Sequence, residues 1–292
     1  GWAGAALVGV ERLAGSLWPD ADRWARLLAP AVLLGAAATW QAALFLEVYG
    51  PLATLALWSV VAARRDRPIL GGALRGWMIL AHPGALALLP GLLLIGGRRP
   101  DARSLAATAL PVVLVWGLLW PDPWSGPRGL TTLPAFDLGP LQSLQRAWRL
   151  LSRDLGITAA LPVLGAAAAW PAQRRVLGGV LAVVAGSALA LDRFADNAGH
   201  LPALWLVCAL APGALRWSPS TLPRRASIAF VAALCVLGVA EATSRHDRVR
   251  RQAERAQDQE ARRCGEPSPD WGQRMRRTLA CRGGADVPPT GR

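Results

Sequence analysis

The sequence predicts an all-α fold, a polytopic membrane protein of about ten spans, and three observations carry that expectation. Hydrophobic residues make up 53% of the chain and mean hydropathy is +0.29, more apolar material than a soluble core needs. Apolar runs recur along the chain and are broken by Arg, Pro and Gly. The arginines gather at the ends of those runs, where the positive-inside rule places them. The same distribution argues against reading the net charge of +13 as a nucleic-acid surface. The basic residues are all Arg and none is Lys. With the Ala, Gly and Pro content, this points to a GC-rich bacterial genome and hence to a bacterial inner membrane.

Taken in order, the candidate spans are 2–18, 25–46, 50–63, 68–81, 84–96, 104–120, 157–170, 176–191, 201–216 and 225–243. Several fall short of the ~20 residues that a perpendicular helix needs. The chain opens at Gly1 inside an apolar run without a methionine, so upstream sequence is expected. The stretch 68–96 decides the topology. It is too long for one ordinary span and has Pro83-Gly84 at its middle, with Arg64, Arg65 and Arg67 before it and Arg98, Arg99 and Arg103 after. Two short helices joined at His82-Pro83-Gly84 keep both basic clusters on the cytoplasmic side, whereas one kinked helix would strand one of them outside. Residues 47–50, the His82 turn, the loop 121–156 and the loop 192–200 then face the non-cytoplasmic side, and Arg174, Arg175, Arg216, Arg224 and Arg225 lie inside.

The first half of the loop 121–156 is rich in Pro and Gly and reads as turns. In its second half Leu141, Leu144, Trp148 and Leu151 follow helical spacing, with Arg146, Arg149 and Arg153 largely off that stripe. This is the pattern of an interfacial amphipathic helix, whose arginines could also steer a lipid-linked phosphate. Residues 1–243 form the membrane domain in this reading and 244–292 a basic tail. That tail begins as a helix over 244–263 and becomes polar and rich in Pro and Gly beyond Cys264. Export of the tail would permit a disulfide between Cys264 and Cys281, while Cys208 and Cys235 read as small apolar packing residues. No zinc-ligand spacing or phosphate-binding glycine loop is present, and neither a metal nor an organic cofactor is expected with certainty.

Two polar residues stand where burial is costly. Glu47 follows the apolar run that ends in Leu44-Phe45-Leu46, and His82 closes the run Ile79-Leu80-Ala81. An ionisable residue at the end of a membrane helix points to a functional site. The alternative for Glu47 is a carboxylate that favours the start of the next helix at Gly50-Pro51. For His82 the alternative is an interfacial turn residue, and for Tyr49 an aromatic-belt residue.

The order Thr39-Trp40, Glu47-Val48-Tyr49, a short span, an Arg-rich turn, Gly76 and then His82 before another apolar run resembles a particular membrane family. Long catalogued as a domain of unknown function, it is linked to protein O-mannosyl transfer and belongs to the GT-C glycosyltransferase superfamily. The resemblance covers about residues 1–97 and is firmest at Trp40 and Glu47-Val48-Tyr49. It implies transfer of a sugar from a polyprenyl-phosphate donor to a protein or glycan acceptor on the non-cytoplasmic face. It further implies that the family's external acidic loop and its Pro-Pro-Gly-Tyr-like segment precede Gly1, so that residues 1–292 alone are expected to be inactive. Glycosyl transfer with inversion needs a base for the acceptor proton and cations for the departing phosphate. Glu47 is thus the candidate catalytic residue, and Tyr49, His82, Arg193 and His200 are the candidate substrate-binding residues. Membrane lipids and the lipid-linked donor are the expected partners, and nucleic acid is not. A transporter or flippase for a lipid-linked or small substrate is the competing expectation, and an inert scaffold displaying the basic tail is a third.

Overall fold

The computed structural model describes residues 1–36, 39, 49–97, 101–115, 140–191 and 200–217, with scattered helical positions between 226 and 244. Trp40, Glu47, Arg193, Cys235, Cys264, Cys281 and residues 245–263 of the expected helix 244–263 lie outside the described residues, as does 116–139. The chain divides into two units, Gly1–Ala242 and Thr243–Arg292. Only Thr243 and Ser244 of the second are described.

Every regular element among the described residues is helical. The helices are α1 (Trp2–Leu17), α2 (Arg23–Arg26), α3 (Leu28–Leu34), α4 (Tyr49–Arg64), α5 (Pro68–Ala81), α6 (Leu89–Gly96), α7 (Ala102–Leu114), α8 (Pro140–Leu155), α9 (Ala160–Ala169), α10 (Arg174–Gly186) and α11 (Leu201–Cys208). Their ends follow local chemistry. Asp22 caps α2 by accepting from the Ala25 amide at 2.6 Å, and Asp101 caps α7 by accepting from the Ser104 amide at 2.7 Å. Gly97 ends α6 with φ 79°, a left-handed position that glycine takes without a Cβ clash.

The expected hairpin at 68–96 is present as two helices. Its second arm starts as a 3-10 segment, Pro83–Leu88, before α6, because Pro83 and Pro90 lack the amides that a continuous helix would use. Two later runs are also interrupted. The run 176–191 closes in a π-helical turn, Ser187–Leu191, and 201–216 changes to a 3-10 segment, Ala211–Trp217, at Pro212.

No single helix among the described residues is long and apolar enough to cross a membrane. The longest, α1, α4 and α8, have 16 residues each, about 24 Å at 1.5 Å per residue against a hydrocarbon core of ~30 Å. One pair passes by length and composition together, Ala147–Leu155 with Ala160–Ala169, but it bends by 116°.

Arg64 shows how the helices are arranged. Its Nε donates to Ser16 Oγ at 2.9 Å, Nη2 to the Ser16 carbonyl at 3.0 Å and Nη1 to the Ile95 carbonyl at 3.0 Å. The C-terminal ends of α1, α4 and α6 therefore meet at one guanidinium, a favourable place for a cation. Helix α5 returns from this end after α4 and packs on α4 and α7. The same end holds the start of α10, where Gln173 Nε2 donates to the Leu17 carbonyl at 2.6 Å, and the end of α11, where Trp18 Nε1 donates to the Ala209 carbonyl at 3.3 Å. Arg65, Arg67, Arg174 and Arg175 flank these helix ends, so the end is strongly basic.

Candidate functional site at the opposite bundle end

Away from the basic end, the chain brings together the start of α4, the turn after α5 and the last turn of the α10 run. Tyr49 opens α4 and His82 caps the 3-10 segment, and their ring centroids are 5.9 Å apart at an interplanar angle of 34°. His82 Nδ1 accepts from the Gly84 amide at 3.0 Å. The acceptor role requires that nitrogen to be unprotonated, and burial holds the imidazole below the ordinary histidine range. A Cβ on Gly84 would come within 2.9 Å of the Ala190 carbonyl, so the turn and the π-helical segment lie backbone against backbone. Arg193 follows the end of that segment by two residues in sequence. The hydroxyl of Ser187 in its first position is buried and has no hydrogen-bond partner among the described residues.

His200, just before α11, is at the same end but has a different partner. Its Nε2 meets Asp154 Oδ2 of α8, with both residues buried. Asp154 was not among the residues expected to act, and the signal for it is its position. It lies three residues after Leu151 and seven after Ala147, which share its buried face together with Leu155. That face also corrects the predicted stripe of α8. Trp148 is 59% exposed while Leu151 is 5% exposed, because α8 packs on the bundle through Ala147, Leu151 and Leu155, and Trp148 is turned about 100° from Ala147. The side chains of Leu141, Leu144 and Arg146 lie outside the described residues. Arg149 and Arg153 are exposed, as their place off the stripe implied.

Of the five expected site residues, Tyr49 and His82 are thus in ring contact, His200 is paired with Asp154, and Glu47 and Arg193 lie outside the described residues. Thr39, from the Thr39-Trp40 pair, is buried and accepts from Trp205 Nε1 at 3.3 Å. Cys208 is buried and free. Among the described residues no three of His, Cys, Asp and Glu gather as metal ligands would. Comparisons with protein-family models, curated proteins and solved structures found no match.

Proposed function

We propose that the chain is a polytopic protein of a bacterial inner membrane, with its basic end cytoplasmic. On that reading, the Tyr49–His82 end receives a polyprenyl-phosphate sugar and an acceptor on the non-cytoplasmic face, as in GT-C glycosyltransferases. The observation that carries the membrane location is the inverted polarity of α7. Its one fully buried residue is Ser104, whereas Leu105, Leu110, Val113 and Leu114 are exposed. Water penalises such a helix and lipid favours it. Backbone contacts at Gly72, Gly76, Gly91 and Gly179 add the small-residue packing typical of membrane bundles. The shortness of the helices fits spans completed by their 3-10 and π-helical ends in a locally thinned bilayer.

The glycosyl-transfer reading rests on the resemblance at Trp40 and Glu47-Val48-Tyr49, and the Tyr49–His82 contact supports it. In this assignment Glu47 orients or deprotonates the acceptor hydroxyl, Tyr49 and the neutral His82 hydrogen-bond the sugar, and Arg193 balances the departing phosphate. His200, paired with Asp154 at the same end of the bundle, is the remaining candidate substrate contact. In the full-length protein, the expected outcome for Glu47→Gln is a loss of sugar transfer from a polyprenyl-phosphate donor of about 10²-fold or more at near-normal membrane abundance. Normal turnover with reduced abundance would return Glu47 to a structural role.

One observation favours the transporter reading. The interrupted segments Pro83–Leu88 and Ser187–Leu191 pack on each other, and broken helices often line the substrate sites of transporters. Proteoliposomes that move a lipid-linked sugar across the bilayer without cleaving it would select that reading.

A further inference from the structure

Arg75 lies in the middle of α5 and is 3% exposed. Its Nη2 donates to Ser104 Oγ of α7 at 2.6 Å, and no carboxylate or other acceptor among the described residues engages the rest of the guanidinium. The helices on either side fix it there. Gly72 and Gly76, four residues apart, share the face of α5 that meets α7, and Arg75 follows Gly72 by three residues. A Cβ on Gly76 would come within 2.5 Å of the Thr108 carbonyl, and one on Gly72 would collide with the Ser104 carbonyl. Backbone contact between α5 and α7 thus pins the pair on both sides of the arginine. Ser104 is held in turn, with its amide on Asp101 Oδ1 at 2.7 Å and its carbonyl accepting from Thr108 Oγ1 at 2.9 Å. Asp101, the carboxylate nearest in sequence to Ser104, is engaged as the cap of α7 and makes no ion pair with Arg75.

A guanidinium has five N–H donors and no acceptor. Burying one without a counter-charge is costly, and a neutral hydroxyl offsets only part of that cost. We infer that Arg75 and Ser104 form one wall of a phosphate-class anion site between α5 and α7, close to the basic end of the bundle. Three features select the ligand. The guanidinium fork matches phosphate oxygens, and Ser104 keeps a hydroxyl proton to donate. Ser104 also lies about one turn inside the start of α7, and the starts of α5 and α7 carry the exposed Arg67 and Arg103, whose potential draws anions toward that end. On the proposed topology this is the depth of a lipid phosphate in the cytoplasmic leaflet. The site itself does not depend on the glycosyl-transfer reading, because it is at the other end of the molecule.

The test follows thermal unfolding of the whole chain in neutral detergent at constant ionic strength. Phosphatidylglycerol, phosphatidylcholine and inorganic phosphate are titrated separately, with bound lipid counted by native mass spectrometry. Phosphatidylglycerol or inorganic phosphate is expected to raise the unfolding midpoint of the wild type, and phosphatidylcholine to have much less effect. Stabilisation by the lipid alone identifies a headgroup, and equal stabilisation by inorganic phosphate identifies the free anion. Arg75→Met is expected to abolish the response while being at least as stable as the wild type without anion, since it removes an uncompensated buried charge. Ser104→Ala keeps the charge and should weaken anion binding about 10-fold. A wild type that responds to neither anion overturns the site. So does an Arg75→Met variant that responds fully, or, if that variant does not fold, a Ser104→Ala variant with unaltered affinity.

Discussion

His82 accepts a hydrogen bond from the Gly84 amide through Nδ1, and protonation of that nitrogen abolishes the cap. Burial holds its folded-state pKa below the ordinary value of 6.5, so the unfolded chain takes up the proton first as pH falls. The stability contributed by neutral His82 is therefore complete above pH 6.5 and is lost as the pH drops below it. His82→Asn keeps a side-chain acceptor at an N-cap that asparagine suits but cannot titrate. The drop in unfolding midpoint between pH 7.5 and pH 5.5 should be smaller in His82→Asn than in the wild type. An equal drop in both would assign the pH dependence to another group. This residue was legible in sequence because a lone histidine before Pro-Gly stands out at the end of an apolar run. Asp154 and Arg75 were less so. Each sits on an apolar face beside leucines or glycines, and its partner is 46 or 29 residues away, a separation that only tertiary packing fixes.

Helix ends are the level at which the sequence was most informative. Pro68, Pro83, the Arg64–Arg67 cluster and Gly97 punctuate the chain chemically, and α4, α5 and the Pro83–Gly96 arm begin and end within a residue or so of the expected positions. The tight approaches between helices were not legible, because Gly71-Gly72 reads only as flexible backbone until a neighbour is placed against it. Helices α6 and α10 illustrate the consequence. A Cβ on Gly91 would come within 2.5 Å of the Gly179 carbonyl, and one on Gly179 within 2.8 Å of the Gly91 carbonyl. Neither backbone can yield without separating the helices. Gly91→Leu should therefore destabilise the bundle by about 1–3 kcal/mol or more, whereas Gly178→Leu, which faces open space, should change stability little. Denaturation of the two variants under identical conditions checks this, and equal effects would remove the close approach as the cause.

At the scale of the whole molecule, the helices sort their charges and their site residues to opposite ends. Arg64, Arg65, Arg67, Arg174 and Arg175 mark one end, and Tyr49, His82 and the Asp154–His200 pair mark the other. Composition made the all-helical architecture legible, since apolar runs of this length and spacing have few other solutions. The exposed apolar side chains Ile69, Leu70 and Trp77 of α5, Leu105, Leu110, Val113 and Leu114 of α7 and Leu181 of α10 support the central proposal, that a bilayer lies between the two ends. Cysteine labelling in a cysteine-free background tests it most directly, with Ala102→Cys at the basic end and Gln145→Cys on α8, both exposed and uncharged positions. The account predicts that an impermeant thiol reagent reaches Gln145→Cys from the non-cytoplasmic side of intact cells and Ala102→Cys only after permeabilisation, with the protein resistant to carbonate extraction. Labelling of both positions from the same side, or release of the protein by carbonate, would contradict it.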